Sequence, residues 1–495
     1  MTIKALKEPN LAAKLSGFLY QAQAIEATRD LPFAAIFHEQ GLGKTKIGLD
    51  IALYWLAQKS VDSVLIVTKR GLIQNWRDEM AAHTHVQPRV LSQDRRANFL
   101  AFNSPARIYL THYETLKSER KRMDLFLKTR RVGIILDESH KIKNPESALT
   151  RVMFELAPGF VRRVIMTGTP VANRPYDLWA QIYFLDQGAS LGTDFSTFRK
   201  DLDLSNELAF DSTRAAHFSD SLARVFNKIS DFSVRETKAR ANIKLPRKEF
   251  RNIPVLLESR QSEMYDNFRR EFAAIVIKDG KPQLDDAEGI LKRLMRLVQV
   301  ASNPRLVDQG YHQIPGKLPI LSDLIDEIHD RGEKAIVWTA FTDNVDWLTR
   351  EFRNRHAVKV HGKLSYEERD RSLTRFKSEP ECMLLIATPA SAKEGLTLTV
   401  ANNVIFFDRS FSLDDYLQAQ DRIHRISQEK PCTVINLVAT DTVDEWVDVL
   451  LSAKQLAAQL GQGDISKEEY DANANYAFGE MVRDVLGRTG AKNGH

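Results

Sequence analysis

Two stretches of the chain alternate short, β-branched apolar runs with helix-length amphipathic segments, and that alternation restricts the fold more than any other feature. The first holds SVLIVTK (63–69), ARIYLTH (106–112), VGIILDE (132–138) and RVIMTGT (163–169). The second holds KAIVWTA (334–340), AVKVHG (357–362), CMLLIAT (382–388), NVIFFD (403–408) and CTVINLVA (432–439). Near-continuous apolar strands separated by helices need cover on both faces, which is the pattern of parallel sheets in α/β folds. The expected plan is an N-terminal α/β lobe over 1–185, a helical and charged insertion over 186–312, a C-terminal α/β lobe over 313–450 and a helical tail over 451–495. The insertion carries an extended, proline-containing piece, IKLPRKEFRNIPVLL, and the tail ends in GRTGAKNGH, which reads as disordered.

Composition narrows the function classes. A chain of 495 residues that is 43% hydrophobic and 27% charged is ordinary for a globular protein with substantial cores. No apolar run approaches a membrane span, and the N-terminal residues lack the apolar centre of a signal peptide. Cys382 and Cys432 are the only cysteines and lack metal-ligand spacing, so a reducing compartment and no structural zinc or metal cluster are expected. The net charge of +5 is a weak pointer to a polyanion. Two local runs say more: Thr115–Arg131 and Arg235–Arg251 each carry seven Lys/Arg against two Asp/Glu. Either alone reads as a solvated helix face or linker; a nucleic-acid track needs a motor motif beside it.

Such a motif is present. FHEQGLGKTKIGLD (Phe37–Asp50) follows the apolar LPFAAIF and opens an amphipathic segment, the strand–loop–helix setting of a phosphate loop. His38 stands where the pattern G-x-x-x-x-G-K-[ST] has its first glycine. Backbone N–H groups around Gly41 and Gly43 can surround a β-phosphate, Lys44 can reach the β- and γ-phosphates, and Thr45 can ligate Mg²⁺. The competing reading is a plain glycine turn. Asp137 and Glu138 end the apolar VGIIL, where ligands of α/β sheets bind: Asp137 suits Mg²⁺ held through water, and Glu138 suits orientation and deprotonation of an attacking water. Thr167, Gly168 and Thr169 end another strand and can sense the γ-phosphate side, although Thr169 before Pro170 alone reads as a helix cap. In YLQAQDRIHRISQ, Gln418, Arg422 and Arg425 are spaced to share one helix face, so that two guanidinium groups could meet the γ-phosphate.

In order, these segments resemble the SWI/SNF-like family of superfamily 2 helicase-related ATPases, from about Tyr20 to about Trp446. LYQAQAI resembles its glutamine motif, HEQGLGKT its D-E-M-G-L-G-K-T, DESHKIKN its D-E-x-H-x-I-K-N, and TGTPVANRPYDLW its T-G-T-P segment, with Asp177 replacing a glutamate. VRETKARANIKLPRKEF is similar to its R-R-T-K…L-P-x-K linker, with Glu236 intruding, and QAQDRIHRISQ to its last ATPase motif. Ala392-Lys393-Glu394 departs from the usual small residues of A-G-G-x-G-L-N-L.

The resemblance implies two RecA-like lobes, ATP and Mg²⁺ as cofactors, and a DNA-dependent ATPase that translocates along or remodels double-stranded DNA largely independently of sequence. It implies Gln21 on the adenine side, and His140, Thr167, Gly168 and Thr169 in coupling. Phosphate grips are expected near Lys69, Thr111, Thr339, Thr388 and Thr397, with Lys244 and Arg247 in the basic linker. A strand-separating, annealing or fork-reversing helicase is the alternative on the same fold, and an ATP-gated nucleic-acid clamp or sensor is the alternative of another class. The expected setting is the cytoplasm of a bacterial or bacteriophage-infected cell, without membrane attachment.

Overall fold

The structure, a computed structural model, describes residues 9–104, 106–171, 173–202, 212–278, 281–282, 287–394, 397–425 and 427–473. The expected tail end after Asn473 lies outside them, as do Gly395 and Leu396 of the departing segment. Among the described residues no helix is long and apolar enough to cross a membrane.

The chain forms two compact bodies. The first takes in the described residues up to Leu202, together with Asp220–Ile243 and Gly461–Asp464. Its sheet has seven strands in the order β3-β4-β2-β5-β6-β1-β7. These are β1 (Phe33–Ile36), β2 (Ser63–Thr68), β3 (Arg89–Val90), β4 (Ile108–His112), β5 (Val132–Asp137), β6 (Arg162–Met166) and β7 (Ser233–Val234). Every pairing in it is parallel. β2, β4 and β5 are buried along their whole length, as continuous apolar runs require when helices cover both faces.

The helix α2 (Lys44–Ala57) packs on this sheet through Ile47, Ile51 and Trp55. Gly133 in β5 makes room for it: a Cβ there would lie 2.8 Å from the Trp55 ring. The close approach of helix and strand aligns the start of α2 with the acidic end of β5. Burial of such side chains contributes roughly 1.5–3 kcal/mol each.

The second body is built on a parallel sheet of six strands in the order β12-β13-β11-β14-β15-β8. Its strands are β8 (Lys248–Val255), β11 (Ala335–Trp338), β12 (Val358–Val360), β13 (Leu384–Ala387), β14 (Asn403–Phe406) and β15 (Cys432–Ala439). A short pair, β9 (Ile277–Lys278) with β10 (Lys281–Pro282), stands apart from it.

All nine apolar runs of the sequence therefore become strands, and helices over Phe195–Leu202, Ser212–Ile229, Ser259–Val276 and Ala287–Ser302 fill the expected helical region. That region also gives each sheet an edge strand; the sequence reading marked the piece around β8 as extended but did not anticipate that either strand joins a sheet. β7 joins the first sheet beside β1, and β8 runs along all of β15 from Lys248↔Cys432 to Val255↔Ala439. β8 exposes most of its residues and contains Pro254, both features of an edge.

Candidate nucleotide site

The site in the first body starts at the end of β1. Gly41 and Gly43 have φ of 87° and 70°, and Gly43 is the residue from which α2 begins, so the first-turn N–H groups of the helix open onto the loop. The φ of 70° favours glycine at position 43, and a Cβ there would also displace Gln21 Nε2, which it would approach to 2.3 Å. Gln21, on α1 (Leu19–Thr28), is buried and donates Nε2 to the Leu42 carbonyl at 3.1 Å, and its Oε1 accepts from the Phe18 N–H at 2.9 Å. The glutamine is thus fastened to the loop that it flanks. Lys44 donates to the carbonyls of His38 at 2.8 Å and Glu39 at 3.1 Å. Burial lowers its pKa to about 8, partly opposed by Glu138 and Asp137. Thr45 is half-buried in the first turn of α2.

Asp137 ends β5. Its Oδ2 accepts from Trp76 Nε1 at 2.8 Å and Thr68 Oγ1 at 3.0 Å. Burial and the adjacent Glu138 raise its pKa despite those bonds. Glu138 follows in the left-handed region at φ 55°, a costly conformation for a residue with a Cβ, which turns its carboxylate out of the strand line. Burial opposes its ionisation, but Lys69, His140 and Lys44 outweigh burial and hold the carboxyl well below the usual range. His140 Nδ1 lies 3.2 Å from Glu138 Oε2 and 3.3 Å from Thr167 Oγ1, so the ring links the ends of β5 and β6. Thr167 Oγ1 also accepts from the Thr169 N–H at 3.2 Å. No helix starts at Thr169; the next element is a 3₁₀ turn at Pro175–Leu178, so the helix-cap reading does not hold. Asp177 in that turn pairs with Lys143 at 3.0 Å, and Ser139 donates to Gln181 at 2.7 Å, tying the two motif segments together.

Gln21, Gly41, Gly43, Lys44, Thr45, Asp137, Glu138, His140, Thr167, Gly168 and Thr169 all lie in this first body. Sequence reasoning missed Arg235 as part of it. That side chain donates to the carbonyls of Phe37, at 2.5 Å, and Gly168, at 3.5 Å, and pairs with Asp464 at 2.7 Å. It is a strut inside the lobe rather than the start of a polyanion-facing linker. Glu39 and Lys238, described below, were missed as well.

Several expected grips are placed differently. Lys69 sits beside Glu138 and stabilises its charge. Thr111 is fully buried in β4 and donates to the Leu91 carbonyl at 3.2 Å. Thr339, in the second body, is fully buried and donates to Asp408 at 2.6 Å. Thr388 is buried as well, its N–H bonded to the Val360 carbonyl. The hydroxyls of Thr111 and Thr339 are thus committed to interior acceptors. Thr397 is exposed and accepts from Arg425 Nη1 at 2.8 Å. Lys244 and Arg247 are exposed, with Arg247 paired to Glu249 at 3.2 Å.

The shared helix face of Gln418, Arg422 and Arg425 is also corrected. The helix Leu413–Gln420 ends before either arginine, and residues 421–425 form turns. Gln418 is buried and donates to Asp414 at 2.6 Å. Arg422 is 1% exposed, enclosed within its lobe, whereas Arg425 is half-buried and donates Nε to the Asp421 carbonyl. Ala392-Lys393-Glu394 fall in the 3₁₀ turn Pro389–Glu394.

A parallel sheet, a glycine loop opening a helix and an Asp–Glu pair at the end of the next strand but one in the sheet define an α/β phosphate-loop protein. The SNF2-related domain matches residues 33–306, more than half of the chain, and the helicase conserved C-terminal domain matches 316–427. The chain belongs to the SNF2-related family. It is similar to chromodomain-helicase-DNA-binding protein 1-like of Danio rerio, 27% identical over 432 residues that cover 83% of this chain and 40% of that protein. It is also similar to an uncharacterized ATP-dependent helicase of Mycoplasma genitalium, 27% identical over 440 residues that cover 87% of this chain and 40% of that one. The chain thus spans 40% of the length of these two curated relatives. Among solved structures, the Sulfolobus solfataricus SWI2/SNF2 ATPase core in complex with dsDNA is 25% identical, with 97% of this chain and 99% of that chain covered at a TM-score of 0.42.

Proposed function

We propose that this chain is a DNA-dependent ATPase that uses ATP hydrolysis to translocate along or remodel double-stranded DNA. The observation that carries the chemistry is Glu138, ionised and turned out of its strand in the same lobe as Lys44 and the glycine loop. The loop fits a nucleotide phosphate, since Gly41 and Gly43 take the left-handed backbone that opens α2 and the start of α2 offers N–H donors. Thr45 and Asp137 offer the hydroxyl and carboxylate oxygens that suit Mg²⁺, which takes few protein ligands beside substrate phosphates. When bound, Mg²⁺ supplies charge neutralisation between the β- and γ-phosphates.

The chain's own residues divide the remaining work. Gln21 fixes the loop, Lys44 binds the polyphosphate, and Glu138 orients the attacking water and accepts its proton. His140 and Thr167 relay the state of that carboxylate to the next strand end. Of the arginines in the last motif, the half-buried Arg425 is available to a phosphate group and the enclosed Arg422 is not, with Gln418 buttressing the helix before them. Lys244 and Arg247 offer exposed charge to a DNA backbone, and phosphate contacts of that kind are indifferent to sequence. The bacterial relative supports a bacterial or phage-infected cytoplasm as the setting.

The test separates binding from chemistry. Glu138→Gln should bind ATP within about threefold of the parent, while duplex-stimulated turnover falls by ~10²–10⁴, the usual contribution of a positioned base. Lys44→Ala should lose both. Turnover near the parental rate in Glu138→Gln removes the carboxylate from the mechanism.

A further inference from the structure

The glycine loop is walled by side chains outside the motif. Gln21 closes on Gly43, and Lys238 lies across Gly41, where a Cβ would meet Lys238 Cε at 3.7 Å. The route that brings Lys238 there is clear. β7 pairs with β1 through Ala35↔Ser233 and Ile36↔Val234, and the ladder continues as the Phe37 N–H donates to the Val234 carbonyl and the Glu39 N–H to the Glu236 carbonyl, each at 2.8 Å. Lys238 then turns onto Glu39. Its N–H donates to Glu39 Oε2 at 2.8 Å and its ammonium lies 3.5 Å from Oε1, with the side chain only 12% exposed.

The ion pair is looser than a close charge-assisted hydrogen bond. A flexible stem ending in a point charge, held over the loop by a neighbouring carboxylate, can exchange that carboxylate for a phosphate oxygen without backbone movement. A polyphosphate brings several negative charges into a partly dry site, where each added cation counts for more than in water.

We propose that Lys238 is a second polyphosphate-binding lysine of the loop, with Glu39 as the positioning residue that keeps it over Gly41; the ligand class is a nucleoside di- or triphosphate. This rests on the reading of the loop as an ATP site. Lys238 contributes charge to binding, so shape alone does not replace it.

Calorimetric titration of the full chain with ATP and with ADP tests this. Lys238→Met keeps an aliphatic stem over Gly41 and removes the charge; Lys238→Arg keeps the charge. The expected result is a Kd raised about tenfold by Lys238→Met for both nucleotides, the scale of one charge-assisted contact, and within about threefold of the parent for Lys238→Arg. Parental affinity in Lys238→Met, or equal losses in the Met and Arg variants, overturns the proposal, because the side chain is then inert or merely packed. Lys44→Ala is titrated alongside. If it also binds ATP as the parent does, the nucleotide reading of the loop falls and takes this inference with it; if only Lys44→Ala loses affinity, the inference alone fails.

Discussion

His38 stands where the related motif carries an aspartate, and its imidazole is 2% exposed. Burial, then the nearby charges of Lys44 and Arg235, push its pKa from 6.5 to about 4. Tyr20 is the other titratable neighbour, its ring centroid 6.2 Å away. A folded-state pKa below the unfolded value means that the unfolded chain binds more protons between the two. His38 therefore costs stability as pH falls from about 6.5 to about 4, and nothing further below that window. Between pH 7 and pH 5 the loss should be about 2 kcal/mol from this residue. Urea unfolding of the parent and of His38→Asn at both pH values measures it; an identical loss in the two proteins contradicts the assignment. The residues proposed to carry the phosphate chemistry stand out in the sequence because each group is contiguous, as in Gly43-Lys44-Thr45 and Asp137-Glu138. Arg235 and Lys238 do not, because the acids they meet, Asp464 and Glu39, lie 229 and 199 residues away.

Lys317 opens the helix Lys317–Asp330 and is fully buried in the second lobe. Its ammonium donates to the Phe407 carbonyl at 2.8 Å and pairs with Asp444 at 2.5 Å. Asp444, in the first turn of the helix Val443–Gly461, also accepts from the Ala439 N–H at 3.0 Å. The pair pins two helices to the ends of β14 and β15. Lys317→Met leaves a buried carboxylate without its cation and should cost about 3–5 kcal/mol, with part recovered by adding Asp444→Asn. Chemical denaturation of the single and double variants checks this; a single variant within 1 kcal/mol of the parent, on the order of a surface pair, would remove the pin. Elements were legible where the apolar signal was continuous. β8 was legible only as an extended, proline-containing piece and not as part of a sheet, because an edge strand exposes most of its residues. The end of the helix at Gln420 was not legible. The Arg422 carbonyl accepts from the Leu398 N–H, and Gln428 Nε2 donates to the carbonyls of Thr399, Ala401 and Ile423, so distant groups take up the backbone that another helical turn would use.

At the scale of the whole molecule, two parallel lobes rise from two separated stretches of alternating strands and helices, and each sheet is completed by a strand from the region between them. One lobe contains the glycine loop and the acidic pair, and the other contains Lys244, Arg247 and Arg425. We propose that ATP hydrolysis in this molecule drives travel along intact duplex DNA. The direct measurement is displacement of a third strand from a DNA triplex on a duplex track of arbitrary sequence, run beside a forked duplex of the same length. ATP should release the third strand in the parent and not in Glu138→Gln, while the forked duplex stays paired. ATP hydrolysis without third-strand release, or release only where the duplex strands also separate, contradicts duplex translocation.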